Sequence, residues 1–159
     1  DGVIVNRKNS CGDTAFHLSC YYDQREVSKM LMTVNTLNVN VQGQHRMTPL
    51  HLAASEGNVE MVEILLADKR VDANLVDTWS RTALHLAASC TSKEDSLKMV
   101  ELLLGRQEIE VAAADDKHMT PLHEACRYAN LDVVKLLLRQ EGVNLNSQCE
   151  VPPSATPLH

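Results

Sequence analysis

Aromatic side chains are scarce in this sequence: one Trp, three Tyr and one Phe among 159 residues. A core of ordinary size must therefore be filled by Leu, Val, Ile, Ala and Met, and each aromatic residue outside it stands out. No apolar run approaches the roughly 18–20 residues that a membrane helix requires, so direct membrane insertion by this segment is not expected. No basic stretch leading into an apolar one marks a secretory leader. Lys and Arg are scattered and the net charge is −6, whereas nucleic-acid binders gather basic residues on one face; nucleic acid is not an expected partner. No CxxC pair occurs among the five cysteines at 11, 20, 90, 126 and 149. An odd, dispersed set reads as free thiols in a reducing compartment, which points to an intracellular, cytoplasmic location. The chain does not open on Met, so Asp1 is not expected to be the natural start.

What remains is a folded, soluble composition, 44% apolar and 23% charged, long enough to bury a sizeable core. Its organisation is periodic. Thr14, Thr48, Thr82, Thr120 and Thr156 each open a TxxH motif, at intervals of 34, 34, 38 and 36, and five of the seven histidines close one. Downstream of the first four copies comes an apolar cluster: VSKML at 27–31, MVEILL at 61–66, MVELLL at 99–104 and VVKLLL at 133–138. An Asn follows at 40, 74 and 146, while the third copy has Ala112 near that place.

Within one copy, Thr48 suits an N-cap, because its hydroxyl can accept from a free first-turn N–H. Pro49 suits the first helical position. His51 stands three residues on, where a capping-box partner reaches back. Leu50, Ala53 and Ala54 make a short helix with room for a close neighbour, Gly57 ends it, and residues 59–66 form a second helix, apolar at Val62, Leu65 and Leu66. A helix pair of this size cannot hide its apolar faces alone; stacked copies bury them in a continuous core. Thr14, His17, Thr48, His51, Thr82, His85, Thr120 and His123 are therefore structural.

The run Thr48-Pro49-Leu50-His51-Leu52-Ala53-Ala54 with Gly57 and Val62-Glu63-Ile64-Leu65-Leu66, repeated as TALHLAAS…MVELLL and TPLHEACR…VVKLLL, resembles the ankyrin repeat, and the resemblance covers essentially the whole chain. It implies an all-α ankyrin solenoid: repeats at 9–42, 43–76, 77–114 and 115–150, the tail of a preceding repeat at 1–8, the start of a following one at 151–159, and a parent protein longer at both ends. Some positions depart from the pattern. The glycine usual before the TxxH turn is kept only as Gly12, with Arg46, Ser80, His118 and Ser154 at the other copies. The first repeat lacks the glycine between its helices, and the third carries an insert, CTSKEDS at 90–96, between its helices.

Catalysis finds no support. His17 with Cys20 and His123 with Cys126 are each three apart, but Cys20 and Cys126 occupy the place of Ala54 and Ala88, where Cys acts as a small apolar residue. No tetrahedral zinc spacing exists, and HEAC at 123–126 is not HExxH. No GxSxG, phosphate loop or paired carboxylates occur, and Asp115-Asp116 reads as a solvated turn. Cys11, Cys90 and Cys149 are expected in turns or loops. No metal, no cofactor and no enzyme activity are expected.

The resemblance implies protein recognition on the concave face lined by turn tips and first helices. The Trp and all three Tyr fall at outward-facing places of that face, and Phe16 at a core place. Interface hot spots are enriched in Trp, Tyr and Arg, each worth roughly 2 kcal/mol or more. The candidate partner-binding residues are Trp79, Arg81, Tyr128, Arg127, Tyr21, Tyr22, Met47, His45, Lys117 and Met119. Packing of Trp79 against a neighbouring turn is the competing reading. The alternative function is a structural spacer or spring within a larger protein such as a channel, a scaffold or an enzyme with an ankyrin arm. The resemblance also implies Asn74 and Asn146, each eight residues after a Leu, as possible hydroxylation sites; hydrogen bonding within the turn is the competing reading.

Overall fold

The computed structural model describes residues 4–143. Among them are eight helices and no strands, arranged as four helix pairs: α1 (Ala15–Tyr21) with α2 (Arg25–Met32), α3 (Pro49–Ser55) with α4 (Val59–Ala67), α5 (Ala83–Ala88) with α6 (Lys93–Leu104), and α7 (Pro121–Arg127) with α8 (Leu131–Leu137). The first helices pack on one another in sequence, α1 on α3 on α5 on α7, and the second helices form a parallel layer, α2 on α4 on α6 on α8. The expected solenoid is what the chain adopts.

Each pair starts from the same local chemistry. The Thr14 N–H donates to His17 Nδ1 at 3.1 Å, and Thr48 with His51, Thr82 with His85 and Thr120 with His123 repeat the contact at 3.1–3.2 Å. A backbone N–H can only donate, so Nδ1 is bare and the ring proton sits on Nε2. That proton goes to the next pair: His17 Nε2 donates to the Met47 carbonyl, His51 Nε2 to Arg81 and His85 Nε2 to Met119, at 3.0–3.1 Å. One side chain thus caps its own helix and fastens the following turn.

Small residues on the first helices let neighbours approach: Ala53, Ala54, Ala87 and Ala88 are fully enclosed. The second helices supply the bulk, with Met61, Val62, Leu65, Met99, Val100 and Leu103 fully buried in one continuous core. Burying each large aliphatic side chain stabilises by about 1.5–3 kcal/mol.

The departures at glycine positions leave the backbone unchanged. Gly12, Arg46, Ser80 and His118 all have φ between 57° and 91°. Asp23, Gly57 and Ala129, between the paired helices, do the same at 51–74°. Side chains with a Cβ thus hold a left-handed conformation at a cost of about 1–2 kcal/mol each.

The insert at 90–96 is not a loop throughout. Ser92 caps a helix that starts at Lys93, its hydroxyl accepting from the Asp95 N–H. The added residues therefore lengthen α6 to 12 residues. Ser96 is fully buried and donates to the Ala87 carbonyl at 2.7 Å, tying the extra turn to α5.

Candidate partner-binding surface

Four hairpin tips project from the starts of α1, α3, α5 and α7. Three are held by one acceptor each. Asn9 Oδ1 accepts from Cys11 and Asp13, Asp77 Oδ1 from Trp79 and Arg81, and Asp115 Oδ1 from Lys117 and Met119. These are Asx-type turns. The tip of the second pair has Gly43 at that register and borrows its acceptor, Gln44 N–H donating to Asp13 Oδ1 at 2.9 Å. A Cβ on Gly43 would meet Asp13 Oδ1 and His17 Nε2, which explains why that place has no side chain. The tips are linked in turn, Thr78 N–H to the His45 carbonyl and Asp116 N–H to the Trp79 carbonyl.

Trp79 is 39% exposed at its tip. The His45 ring lies 5.1 Å from its centroid, tilted 35°, and the Arg81 guanidinium stands 4.7 Å from its ring. Arg81 is itself anchored, its Nε and Nη2 at 2.9 and 2.8 Å from the fully buried Asp77 carboxylate. The ring thus packs on a neighbouring turn and still presents surface.

The other aromatic candidates lie elsewhere. Tyr21 and Tyr22, at the far end of α1, meet edge to face at 4.9 Å, and both are exposed. Tyr128, exposed at the end of α7, has the Arg127 guanidinium 5.8 Å from its ring. A seven-residue helix is about 10 Å long, so the candidates form two edges. His45, Trp79, Arg81 and Lys117 occupy the tip edge; Tyr21, Tyr22, Arg127 and Tyr128 occupy the edge where the first helices end. Phe16 is fully buried, as its place implied.

Two candidates are corrected. Met119 is only 8% exposed; the residue that follows His118 turns inward, and its carbonyl receives His85. Met47 is half-buried, packs against the core and offers its carbonyl to His17. Both stand directly before the capping Thr, where the chain dives back into the stack.

Between the two edges runs a stripe of equivalent positions, Leu18, Leu52, Leu86 and Glu124. Glu124 is 8% exposed, and burial pushes its carboxyl above the usual range. Sequence reasoning passed over it; the signal was HEAC standing where other copies read HLAA or HLSC.

Three of the described cysteines are held as thiols. Burial pushes the Cys20 thiol up to about 12, and Cys90 and Cys126 are raised for the same reason, so none favours the thiolate that nucleophilic chemistry needs. Cys11 and Cys90 both lie outside the helices as expected, Cys11 exposed in its turn and Cys90 half-buried against the core. Among the described residues no group of three His, Cys, Asp or Glu could hold a metal ion, and no helix is long and apolar enough to cross a membrane.

The asparagines after the second helices join consecutive pairs. Asn40 Nδ2 donates to the Arg70 carbonyl while its Oδ1 accepts from the Asp72 N–H. Asn74 does the same to Glu108 and Glu110. The amide of Asn74 thus bonds across a junction between pairs rather than within its own turn. Asn146, Cys149, the TxxH at 156–159, residues 1–3 and the segment 151–159 lie outside the described residues.

A family model described as ankyrin repeats in three copies matches residues 66–149, and one described as ankyrin repeats in many copies matches 34–87. Among curated proteins, an ankyrin repeat protein of fowlpox virus is 32% identical over 99 residues, covering 59% of this chain and 29% of its own length. The nuclear factor NF-kappa-B p105 subunit of Gallus gallus is 33% identical over 91 residues, 56% of this chain and 9% of that protein. The transient receptor potential cation channel subfamily A member 1 of Homo sapiens is 28% identical over 91 residues, 57% of this chain and 8% of the channel. The chain spans less than a third of the length of each of these relatives. With half of its residues under one family model and the capped, stacked helix pairs that the motif demands, the chain belongs to the ankyrin repeat family.

Proposed function

We propose that this chain is a non-catalytic recognition module whose protein partner lies across the hairpin tips and first helices, the concave face of the stack. The observation that carries the reading is where the rare aromatics stand. In a chain with five such residues, Trp79, Tyr21, Tyr22 and Tyr128 are all exposed on this one side, two of them with an arginine over the ring. Rigid aromatic surface beside arginine is the composition of interface hot spots. The thiols of Cys20, Cys90 and Cys126, pushed above the ordinary range by burial, support a non-catalytic role. Free Cys11, Cys20, Cys90 and Cys126 support a reducing, cytoplasmic setting, and the much longer relatives support a longer parent protein.

The test is quantitative capture from cell lysate with the chain and its Trp79→Ala/Tyr128→Ala variant, both confirmed helical by circular dichroism. Proteins retained by the first and lost by the second support the reading; identical capture by both refutes the site. Arg81 is left intact because removing it strands the buried Asp77 carboxylate and confounds folding with binding. A spacer role is favoured by one observation, the clamp of His45 and Arg81 on Trp79. Capture of nothing by either protein supports it.

A further inference from the structure

The stripe between the two edges of the concave side carries one residue unlike the rest. We infer that the partner places an arginine side chain on the Glu124 carboxylate, between the hairpin tips and Tyr128. The inference rests on the recognition reading above and adds the chemistry of the segment bound.

Three observations carry it. The first is a buried acid with nothing to hold it. Glu124 is only 8% exposed, and among the described residues its carboxylate makes no hydrogen bond and no ion pair. Its two oxygens are nevertheless not among the fully enclosed orphaned atoms: the stem is buried and the acid end reaches the groove. Buried polar groups are paired as a rule, and burial holds this carboxyl above its usual range. The equivalent positions hold Leu18, Leu52 and Leu86, so the fold itself does not demand an acid there.

The second observation is the set of charges around it. Arg127, Arg81 and Lys117 act on Glu124 from a distance, and none is paired with it. Arg81 is bonded to the Asp77 carboxylate and stands over Trp79, while Arg127 stands over the Tyr128 ring. Lys117 is exposed on its tip and makes no ion pair among the described residues. Asp77, Asp115 and Asp116 on the two adjoining tips bring the balance to four carboxylates against three cations, in a chain of net charge −6. The local balance and the distant field both favour a further cation.

The third observation selects the kind of cation. The Tyr128 N–H donates to the Glu124 carbonyl at 3.0 Å, so the two residues stand one helical turn apart and share a face of α7. Tyr128 is exposed. A carboxylate beside an aromatic face suits a planar cation. A guanidinium donates two N–H groups to the carboxylate and lays its plane on the ring, which a lysine ammonium cannot do. A polypeptide is the source that also explains the exposed Trp79 alongside, because one arginine leaves the rest of a segment to cover it.

Selection from displayed random decapeptides on the 159-residue chain, followed by fluorescence anisotropy with an enriched peptide, tests this. Selected peptides are expected to carry arginine about threefold more often than the unselected library. Glu124→Gln keeps the size and removes the charge, and is expected to weaken peptide binding by about tenfold. Glu124→Leu installs the side chain of the other three positions. It is expected to raise the melting temperature while losing the peptide, because an unpaired buried acid is exchanged for an apolar group. A purely structural glutamate would leave binding unmoved. Selection without an arginine excess overturns the inference, as does selection of no peptide or unchanged affinity in Glu124→Gln. Competition by spermine as effective as by unlabelled peptide also overturns it and assigns the carboxylate to a free polyamine. If Trp79→Ala/Tyr128→Ala loses its lysate partners while Glu124→Gln keeps them, the recognition reading stands and this inference falls.

Discussion

The first and second helix pairs are built on one frame with different interiors. In α3 and α4 the inward positions are Ala53, Ala54 and Val62, all fully enclosed, and Gly57 makes the turn between helices. In α1 and α2 the same places hold Ser19, Cys20, Ser28 and Asp23. The polar groups are satisfied: Ser28 donates to Ser19 Oγ at 2.8 Å and Ser19 to the Phe16 carbonyl at 3.0 Å. Satisfied hydroxyls avoid the penalty of a buried orphan, yet they forgo the apolar burial that Val62 supplies. With its outer face also open, the first pair is the weak end of the stack. In a solenoid each unit leans only on its neighbours, so local opening starts there. The histidine lock, by contrast, is identical in both pairs. The comparison separates an interior that varies from a fastening that does not.

Acid is the strongest way to break it. Burial lowers the ionisation of His17, His51 and His85 below the ordinary value of 6.5, and a proton on Nδ1 would face the capping Thr N–H. The folded state therefore binds fewer protons than the unfolded chain below pH 6.5. Stability is intact above that value and falls as pH drops through 6.5 toward the lowered folded values. Each histidine contributes up to about 1.4 kcal/mol per pH unit in that window, so three together dominate. Urea unfolding at pH 7.5 and 5.5 is expected to show a large loss of stability. Hydrogen exchange is expected to find that loss shared by all four pairs rather than confined to the first. Equal stability at both pH values would remove the lock from the account.

The interior difference is tested by making the first pair like the second. Ser19→Ala with Ser28→Val removes both hydroxyls together, so neither is orphaned, and installs the side chains found at Ala53 and Val62. The expected gain is about 1–2 kcal/mol, read from the urea midpoint, with exchange across residues 15–32 slowed toward that of α3 and α4. A loss of stability would mean that the serine pair fixes the spacing of α1 and α2 in a way a valine cannot.

The frame was legible in the sequence because one residue pair does both local and long-range work. Thr48 and His51 announced a cap by their spacing, and their recurrence at intervals of 34 to 38 residues announced the stack. What stayed hidden was partner identity across repeats. Asn40 and Asn74 read as turn residues, since nothing in the sequence says that the acceptor lies some 30 positions on. Met119 read as outward because it follows a tip, but the chain turns inward one residue before the cap. The insert at 90–96 read only as an addition between the helices; Ser92 followed by Glu94 and Asp95 was a helix start obscured by its neighbours' polarity. Of the candidate surface, the exposure of the aromatics followed from their places in the repeat. Their division into two edges, and the clamp on Trp79, needed three dimensions.

The smallest effect sharpens the comparison at single backbone positions. Gly57 and Ala129 hold the same left-handed turn between paired helices, at φ of 74° and 51°. Glycine adopts it freely, whereas alanine bears steric strain of about 1–2 kcal/mol, partly offset by its lower entropy when unfolded. Ala129→Gly is therefore expected to stabilise by about 0.5–1 kcal/mol and Gly57→Ala to destabilise by slightly more. The asymmetry arises because a Cβ at position 57 would stand 3.3 Å from Cys90 Sγ, a contact that adds crowding to strain. Thermal unfolding of both variants and of the double exchange measures it. Additive shifts are expected, because the two turns lie in non-adjacent pairs and share no partner. A stabilising Gly57→Ala would mean that entropy in the unfolded chain outweighs the strain, and would remove backbone conformation as a reason for the pairs to differ in stability.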